Sequence, residues 1–168
     1  NRMNNVGWVA LSLTGRIGNK TLQVLLKHFD GDTTAILKAD AKALRKVQGV
    51  GPKIAQSICD IDLRQVEAAL KRWHQKGIRV LTLLDDDYPT KLKMLDDAPP
   101  TLFIRGECLS FEKSLAIVGT RNPSDVSRNF AQNMSTYLVD GGYAIISGLA
   151  LGIDSAAHLG AIAHPDAL

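Results

Sequence analysis

The stretch AIISGLALGIDSAAH, residues 144–158, decides the fold. Its short apolar run stops at Ser147-Gly148, and a helical pattern begins after Gly152. An apolar run that ends at glycine predicts a buried strand, and the alanine-rich stretch that follows predicts a helix over 153–163. Glycines at such a junction either let the backbone approach a phosphate closely or simply form the turn. The stretch alone leaves both explanations open.

The preceding residues show the same strand-to-helix order. SLAIVGTRNPS predicts a strand at 115–118, a loop at 119–125 and a helix that continues to about Val139. GGYAIISG then predicts a turn and a second strand at 143–147. Strand, helix, strand and helix at this spacing indicate an α/β fold with a parallel sheet and helical crossovers.

Loops that follow neighbouring parallel strands meet at the carboxyl edge of the sheet, where ligands bind. We therefore expect one crevice to contain Gly119, Thr120, Arg121, Ser147 and Gly148. Amides, a hydroxyl and a guanidinium suit a phosphate group. The G-x-G-x-x-G fingerprint, an acidic end to the second strand and a Walker A lysine are all absent from the sequence. A nicotinamide oxidoreductase and a nucleotide hydrolase are therefore not indicated.

The first half of the chain is predicted to be helical and contains a helix-hairpin-helix pattern. In LRKVQGVGPKIAQSI, residues 44–58, Gly49 and Gly51 allow a tight turn. Pro52 suits the first position of the second helix, where its missing N–H costs nothing. The amides at this turn and Lys53 are candidate phosphate contacts.

A weaker copy of the hairpin precedes it in LTGRIGNKTLQVLL, residues 13–26. Arg16 stands there in place of the first glycine, so this copy is degenerate. Two such units indicate a small helical domain of the SAM-like type. Helical hairpins contact DNA in some proteins and serve as scaffolds or protein-docking modules in others, so both roles stay open.

Charge is distributed unevenly over the 168 residues. Residues 1–76 contain 13 Lys/Arg and 6 Asp/Glu, whereas residues 77–168 contain 7 and 11. Gly77 follows an amphipathic helix and suits its end. We therefore predict a helical domain at 1–76 and an α/β domain at 77–168. The basic first half suits either nucleic acid or a solvated helix surface.

Several function classes lack support in the sequence. No apolar run reaches the roughly 20 residues of a membrane span, and the first residues lack a basic stretch followed by an apolar core, so no secretion is expected from them. Cys59 and Cys108 are far apart and show no metal-ligand spacing, so we expect a reduced, cytoplasmic protein without a metal. Asp154 is interpreted as a helix N-cap, and His158 as a packed side chain. No nucleophile, general base and orienting group come together, so neither a catalytic residue nor a cofactor is predicted.

Three motifs that follow the hairpins in order resemble the DprA/Smf family of DNA processing proteins. They are D-x-x-Y-P at 85–89, V-G-T-R-N-P-S at 118–124 and S-G-L-A-L-G-I-D at 147–154. The resemblance extends from the first hairpin to about Ala161. It implies a Rossmann-like domain that binds single-stranded DNA, transfers it to the recombinase RecA and protects incoming strands during natural transformation. It also implies a homodimer, and it assigns Arg121 to a DNA phosphate.

The chain departs from the family pattern in two motifs. Leu151 stands where the family usually has arginine, which removes one phosphate contact, and Val126-Ser127 replace a Tyr-Gly pair. The family's sheet continues past the present residues, so we expect an incomplete sheet that is not a stable monomer and that binds single strands weakly. The alternatives are a nucleotide-binding or nucleotide-cleaving enzyme of a related Rossmann type and a protein-docking module.

Overall fold

The computed structural model describes residues 2–107 and 113–163, with side chains from residue 6 onward. The chain divides into two compact units between residues 108 and 109. The helices of the first unit are α1 (Arg2–Ser12), α2 (Asn19–His28), α3 (Thr33–Lys38), α4 (Ala41–Leu44), α5 (Pro52–Cys59), α6 (Leu63–Gln75) and α7 (Thr90–Lys93). Its strands are β1 (Ile78–Thr82) and β2 (Thr101–Arg105).

The helices of the first unit enclose one apolar core, as the helical spacing of the first half predicts. Side chains that are almost fully buried come from α1 to α5. They include Trp8, Leu11, Leu22, Leu25, Ile36, Leu44 and Ile58. The carboxylates of Asp32, Asp40 and Asp62 accept hydrogen bonds from first-turn amides of α3, α4 and α6. These three helix starts are therefore satisfied by side-chain caps.

Strands β1 and β2 form an antiparallel hairpin that packs on the helices. Its register pairs Ile78 with Arg105. The indole N–H of Trp8 donates to the carbonyl of Pro100 at 2.7 Å, and the rings of Trp73 and Phe103 pack edge to face at 4.8 Å. Because of these contacts, the compact units divide later along the chain than the predicted domain boundary at residue 77.

The D-x-x-Y-P motif stabilises the connection between β1 and β2. The carboxylate of Asp85 accepts from the amide of Thr82 at 2.6 Å and from its hydroxyl at 2.8 Å. The buried hydroxyl of Tyr88 donates to the carbonyl of Pro99 at 2.7 Å, and burial raises the pKa of this phenol. The motif therefore fixes the two ends of the connection through hydrogen bonds within the unit.

The second unit contains a parallel strand pair with helical crossovers. Its elements are β3 (Ser114–Ala116), α8 (Asp125–Asp140), β4 (Ala144–Ile146) and α9 (Ile153–Ile162). β3 pairs in parallel with β4, and Ser114 lies opposite Ala144. The predicted order of strand, helix, strand and helix is confirmed, although both strands are shorter than the sequence suggests.

Helices α8 and α9 approach each other closely because small residues line their contact. A β-carbon on Gly160 would overlap the backbone carbonyl of Gln132. The hydroxyl of Thr136 donates to the carbonyl of Gly160 at 2.9 Å and so joins the two helices. Other small buried residues of this pair are Ala131, Ser135, Ala156 and Ala157.

Within residues 2–107 and 113–163, none of the helices combines the length and apolar character needed to cross a membrane. The same ranges contain no group of three or more His, Cys, Asp or Glu arranged to hold a metal ion.

Candidate nucleic-acid interface

The loops after β3 and β4 lie side by side, as the parallel pairing predicts. The amide of Ile117 donates to the carbonyl of Ile146 at 3.0 Å, which continues the pairing beyond β3. The hydroxyl of Ser147 donates to the carbonyl of Ile117 at 2.6 Å. Ser147 therefore joins the two loops, and its hydroxyl hydrogen is already used within the protein.

A carboxylate of the chain itself occupies the amides that sequence reasoning assigns to a phosphate. Asp154 is 6% exposed. Its Oδ2 accepts from the amide of Gly148 at 3.0 Å, and its Oδ1 accepts from the amide of Gly119 at 3.4 Å. The two glycine amides therefore hold the loops against α9, and neither is free for a ligand in this conformation.

The interpretation of Asp154 as a helix N-cap is wrong. The N-cap of α9 is Gly152, which makes no side-chain cap bond, and Asp154 lies two positions further along the helix. From there its side chain reaches across to the two loops instead of back to its own helix. Sequence spacing could not reveal this, because the acceptor bonds depend on where β3 and β4 end in space.

Gly152 brings the two loops into backbone contact. It has φ +92°, and a β-carbon there would lie 2.8 Å from Cα of Arg121 and would overlap the carbonyl of Thr120. The amide of Ile153 donates to that same carbonyl at 3.1 Å. Only glycine allows this close approach, so the loop that carries Arg121 is held directly against the start of α9.

Arg121 is the exposed cation of this edge. Among the residues that the structure describes, its guanidinium has neither an ion-pair nor a hydrogen-bond partner. The neighbouring Thr120 is also exposed, and its hydroxyl accepts from the amide of Asn122 at 3.2 Å. The positive dipole end of α9 lies behind the same loop. The edge therefore offers a free guanidinium and the hydroxyl of Thr120 to an anion.

The second candidate site is the turn of the second hairpin, in the first unit. Gly49, Gly51 and Lys53 are exposed and line one cleft, which Arg16 of the first hairpin also lines. The sequence pattern alone assigns Arg16 no role beyond the replacement of a glycine. Arg16 occupies the position in the first hairpin pattern that Gly49 occupies in the second. This equivalence is the sequence feature that indicates a shared surface for the two turns.

The second helix of each hairpin begins with nearly the same N-cap geometry. The N-cap of α5 is Gly51, with φ −81° and ψ 174°, and the N-cap of α2 is Gly18, with φ −82° and ψ 175°. Neither glycine supplies a capping side chain, in contrast to the aspartates that begin α3, α4 and α6. Both helices therefore begin without side-chain partners for their first amides, which suits an external acceptor.

Gly49, rather than Gly51, is the glycine that the turn needs. Gly49 has φ +83°, whereas Gly51 lies in ordinary extended backbone. A β-carbon on Gly51 would meet no atom within 4 Å. The sequence interpretation that both glycines serve the turn is therefore corrected for Gly51, and the space beside it stays available to a ligand.

Comparison with known proteins identifies the family. A family model described as DNA recombination-mediator protein A matches residues 79–167, more than half of the chain. The chain belongs to this family. A model described as a SAM-like helix-hairpin-helix tandem matches residues 13–64, which confirms both hairpin copies.

Individual relatives support the same family. Protein Smf of Synechocystis sp. is 35% identical over 158 residues, which cover 90% of this chain and 39% of the relative. The DNA processing protein DprA of Bacillus subtilis is 34% identical over 95 residues, which cover 55% of this chain and 32% of the relative. The chain thus spans less than half the length of these two relatives.

A solved structure confirms the fold class. The X-ray structure of DNA processing protein A (DprA) from Streptococcus pneumoniae aligns with 94% of this chain and 54% of that chain, with a TM-score of 0.67 and 29% sequence identity. The predicted combination of a hairpin domain with part of a Rossmann-like parallel sheet is therefore confirmed, as is the resemblance to the DprA/Smf family.

Proposed function

We propose that this protein binds single-stranded DNA without catalysing a reaction, protects incoming strands in natural transformation and helps to load them with RecA. Family membership and relatives named DNA processing proteins support this role. The observation that carries it is the exposed, unpaired guanidinium of Arg121 at the carboxyl edge of β3. A cytoplasmic location and a homodimer belong to the same proposal.

The contacts at this edge suit a phosphate backbone rather than a particular base sequence. In the proposed complex, Arg121 pairs with a phosphate and the hydroxyl of Thr120 donates a hydrogen bond to it. Ser147 acts as a positioning residue, since its hydroxyl donates to the carbonyl of Ile117. Gly119 and Gly148 act as positioning residues, since their amides donate to Asp154. Binding should therefore be tolerant of sequence and sensitive to salt.

The alternative of a nucleotide-cleaving enzyme has less support. Such an enzyme needs a free acid or base at this edge. Both carboxylate oxygens of Asp154 accept amide bonds, and Nε2 of His158 is buried without a hydrogen-bond partner among the described residues. These observations favour binding over catalysis, and the proposal includes neither a cofactor nor a metal.

The first test is the substitution Arg121→Ala in the full-length protein. Loss of one charged phosphate contact should weaken binding to an oligo-dT strand about tenfold. It should also reduce the slope of log K against log salt by about 0.7, because one fewer counterion is released from a single strand. Filter binding over a salt series measures both quantities.

Arg128→Ala is the matched control for Arg121→Ala. Arg128 is an exposed arginine of the same unit, in the first turn of α8 rather than in the loop that carries Arg121. Its removal should change the affinity little. Equal effects of the two substitutions would show that only overall charge matters, and an unchanged slope for Arg121→Ala would reject a phosphate contact.

The second test separates DNA binding from protein docking at the hairpin. Gly51→Asp adds a capping carboxylate to α5 in open space, as Asp32 does for α3. It should raise the free energy of unfolding by about 0.5–1 kcal/mol. Single-strand affinity should nevertheless fall several-fold, because the carboxylate takes the free amides and repels a phosphate. Thermal unfolding and oligo-dT binding measure the two effects.

Gly49→Ala serves as the control, because it should lower the stability without lowering the single-strand affinity. Its φ of +83° should make alanine cost about 1 kcal/mol of stability. If Gly51→Asp is stabilising but leaves single-strand binding unchanged, the hairpin does not contact DNA and the docking alternative is favoured.

A further inference from the structure

Leu149 lies in a backbone conformation that leucine rarely adopts. Its φ is +55°, in the left-handed region. Among the described residues, the other non-glycine position with positive φ is Asp30, a residue type that tolerates this region well. Leucine has no polar group with which to compensate locally, so this conformation costs free energy.

The loop around Leu149 is fixed by hydrogen bonds. The amide and the hydroxyl of Ser155 donate to the carbonyl of Ala150 at 3.1 Å and 2.6 Å. On the other side, the amide of Gly148 donates to Asp154. The strained residue is thus held from both directions, and its conformation is set by the surrounding structure.

This fixed loop presents apolar side chains to solvent beside Arg121. Leu149 is 80% exposed and Leu151 is 77% exposed. The next residue, Gly152, abuts the backbone of Arg121. Val126, another highly exposed apolar side chain of this unit, lies on α8 in helical backbone. Leu149 differs because its backbone conformation is unfavourable and is maintained by the hydrogen bonds on either side of it.

We propose that Leu149 and Leu151 contact unpaired bases of the strand whose phosphate is neutralised by Arg121. This inference rests on the proposed binding of single-stranded DNA and adds the base-contacting residues of that site. A nucleotide combines an anionic phosphate with a base whose faces are apolar, which matches a free guanidinium on one loop and two exposed leucines on the loop that contacts it. In a single strand the base faces are accessible, whereas in a duplex they are stacked.

Leu149→Gly in the full-length protein tests the inference. Glycine adopts a φ of +55° without strain, so the melting temperature should stay equal or rise. The affinity for oligo-dT should fall about three- to tenfold, while the salt slope stays unchanged because no counterion is involved. Val126→Ala removes an equally exposed apolar side chain from α8 and should leave the affinity unchanged.

An abasic oligonucleotide of the same length completes the test. The wild-type protein should bind it more weakly than oligo-dT, and Leu149→Gly should cause no further loss on it. Leu149→Gly that binds oligo-dT as tightly as the wild type overturns the inference, as does an equal loss on both oligonucleotides. If Arg121→Ala still weakens binding in that case, the proposed function stands and only the base contact is rejected.

Discussion

Replacing Gly152 by alanine is expected to lower the free energy of unfolding of the second unit by about 3 kcal/mol or more. Gly152 combines φ +92° with ψ −124°, a region that L-residues rarely adopt. Its missing side chain also leaves room for the backbone of Thr120 and Arg121. Backbone atoms cannot rotate away from an added methyl group, so the loops must separate. Urea unfolding, with hydrogen exchange of α8 and α9, measures the loss.

Gly142→Ala is the matched control for Gly152→Ala. Gly142 has φ +77°, but a β-carbon there would meet no atom within 4 Å. The free energy of unfolding of Gly142→Ala should fall by only about 1 kcal/mol, which is the cost of the left-handed conformation for alanine. The difference in unfolding free energy between the two variants measures the cost of separating the closely packed loops. Equal losses would show that this close approach does not stabilise the unit.

The parallel strand pair and its helices could be predicted from local sequence. Apolar runs that stop at glycine marked the ends of β3 and β4, and α8 and α9 followed at crossover spacing. Because parallel pairing brings consecutive loop starts to one edge, the proximity of Gly119 and Gly148 followed as well. The hairpin turn could also be predicted from local sequence, because it contains Gly49, which has a positive φ.

The partners of these loops could not be predicted, because they depend on distances between segments far apart in the chain. Asp154 lies 35 residues beyond Gly119, whose amide it accepts. Its position near the start of a predicted helix suggested a local cap, which is the commoner role. The strained backbone of Leu149 has no sequence signal either, since leucine is an unfavourable choice for that conformation.

The position of the β1–β2 hairpin shows a similar limit. The apolar and branched residues of β1 and β2 are typical of strands, but this pattern does not distinguish between packing partners. The hydrogen bond from Trp8 to Pro100 joins residues 92 positions apart. The edge-to-face contact of Trp73 with Phe103 is likewise a tertiary contact. Hydrophobic periodicity reports that a face is buried, whereas only the structure reports what buries it.

Asp154→Ala is expected to lower the free energy of unfolding by about 2–4 kcal/mol. The substitution leaves the amides of Gly119 and Gly148 without an acceptor, and each bond to a carboxylate contributes about 1.5–3 kcal/mol. Asp154→Asn keeps one acceptor oxygen at similar volume, so its loss should be intermediate. Asp125→Ala, which removes an exposed acid from the first turn of α8, should cost no more than about 1 kcal/mol.

Sulfate can test whether the amides of Gly119 and Gly148 form an anion site. In Asp154→Ala the vacated amides face the start of α9, an arrangement that favours an anion. Added sulfate should therefore raise the melting temperature of Asp154→Ala more than that of the wild type or of Asp125→Ala. An equal rise in all three would show that the amides do not form an anion site. A selective rise would show that the amides of Gly119 and Gly148 form an anion site, which the protein fills with the carboxylate of Asp154.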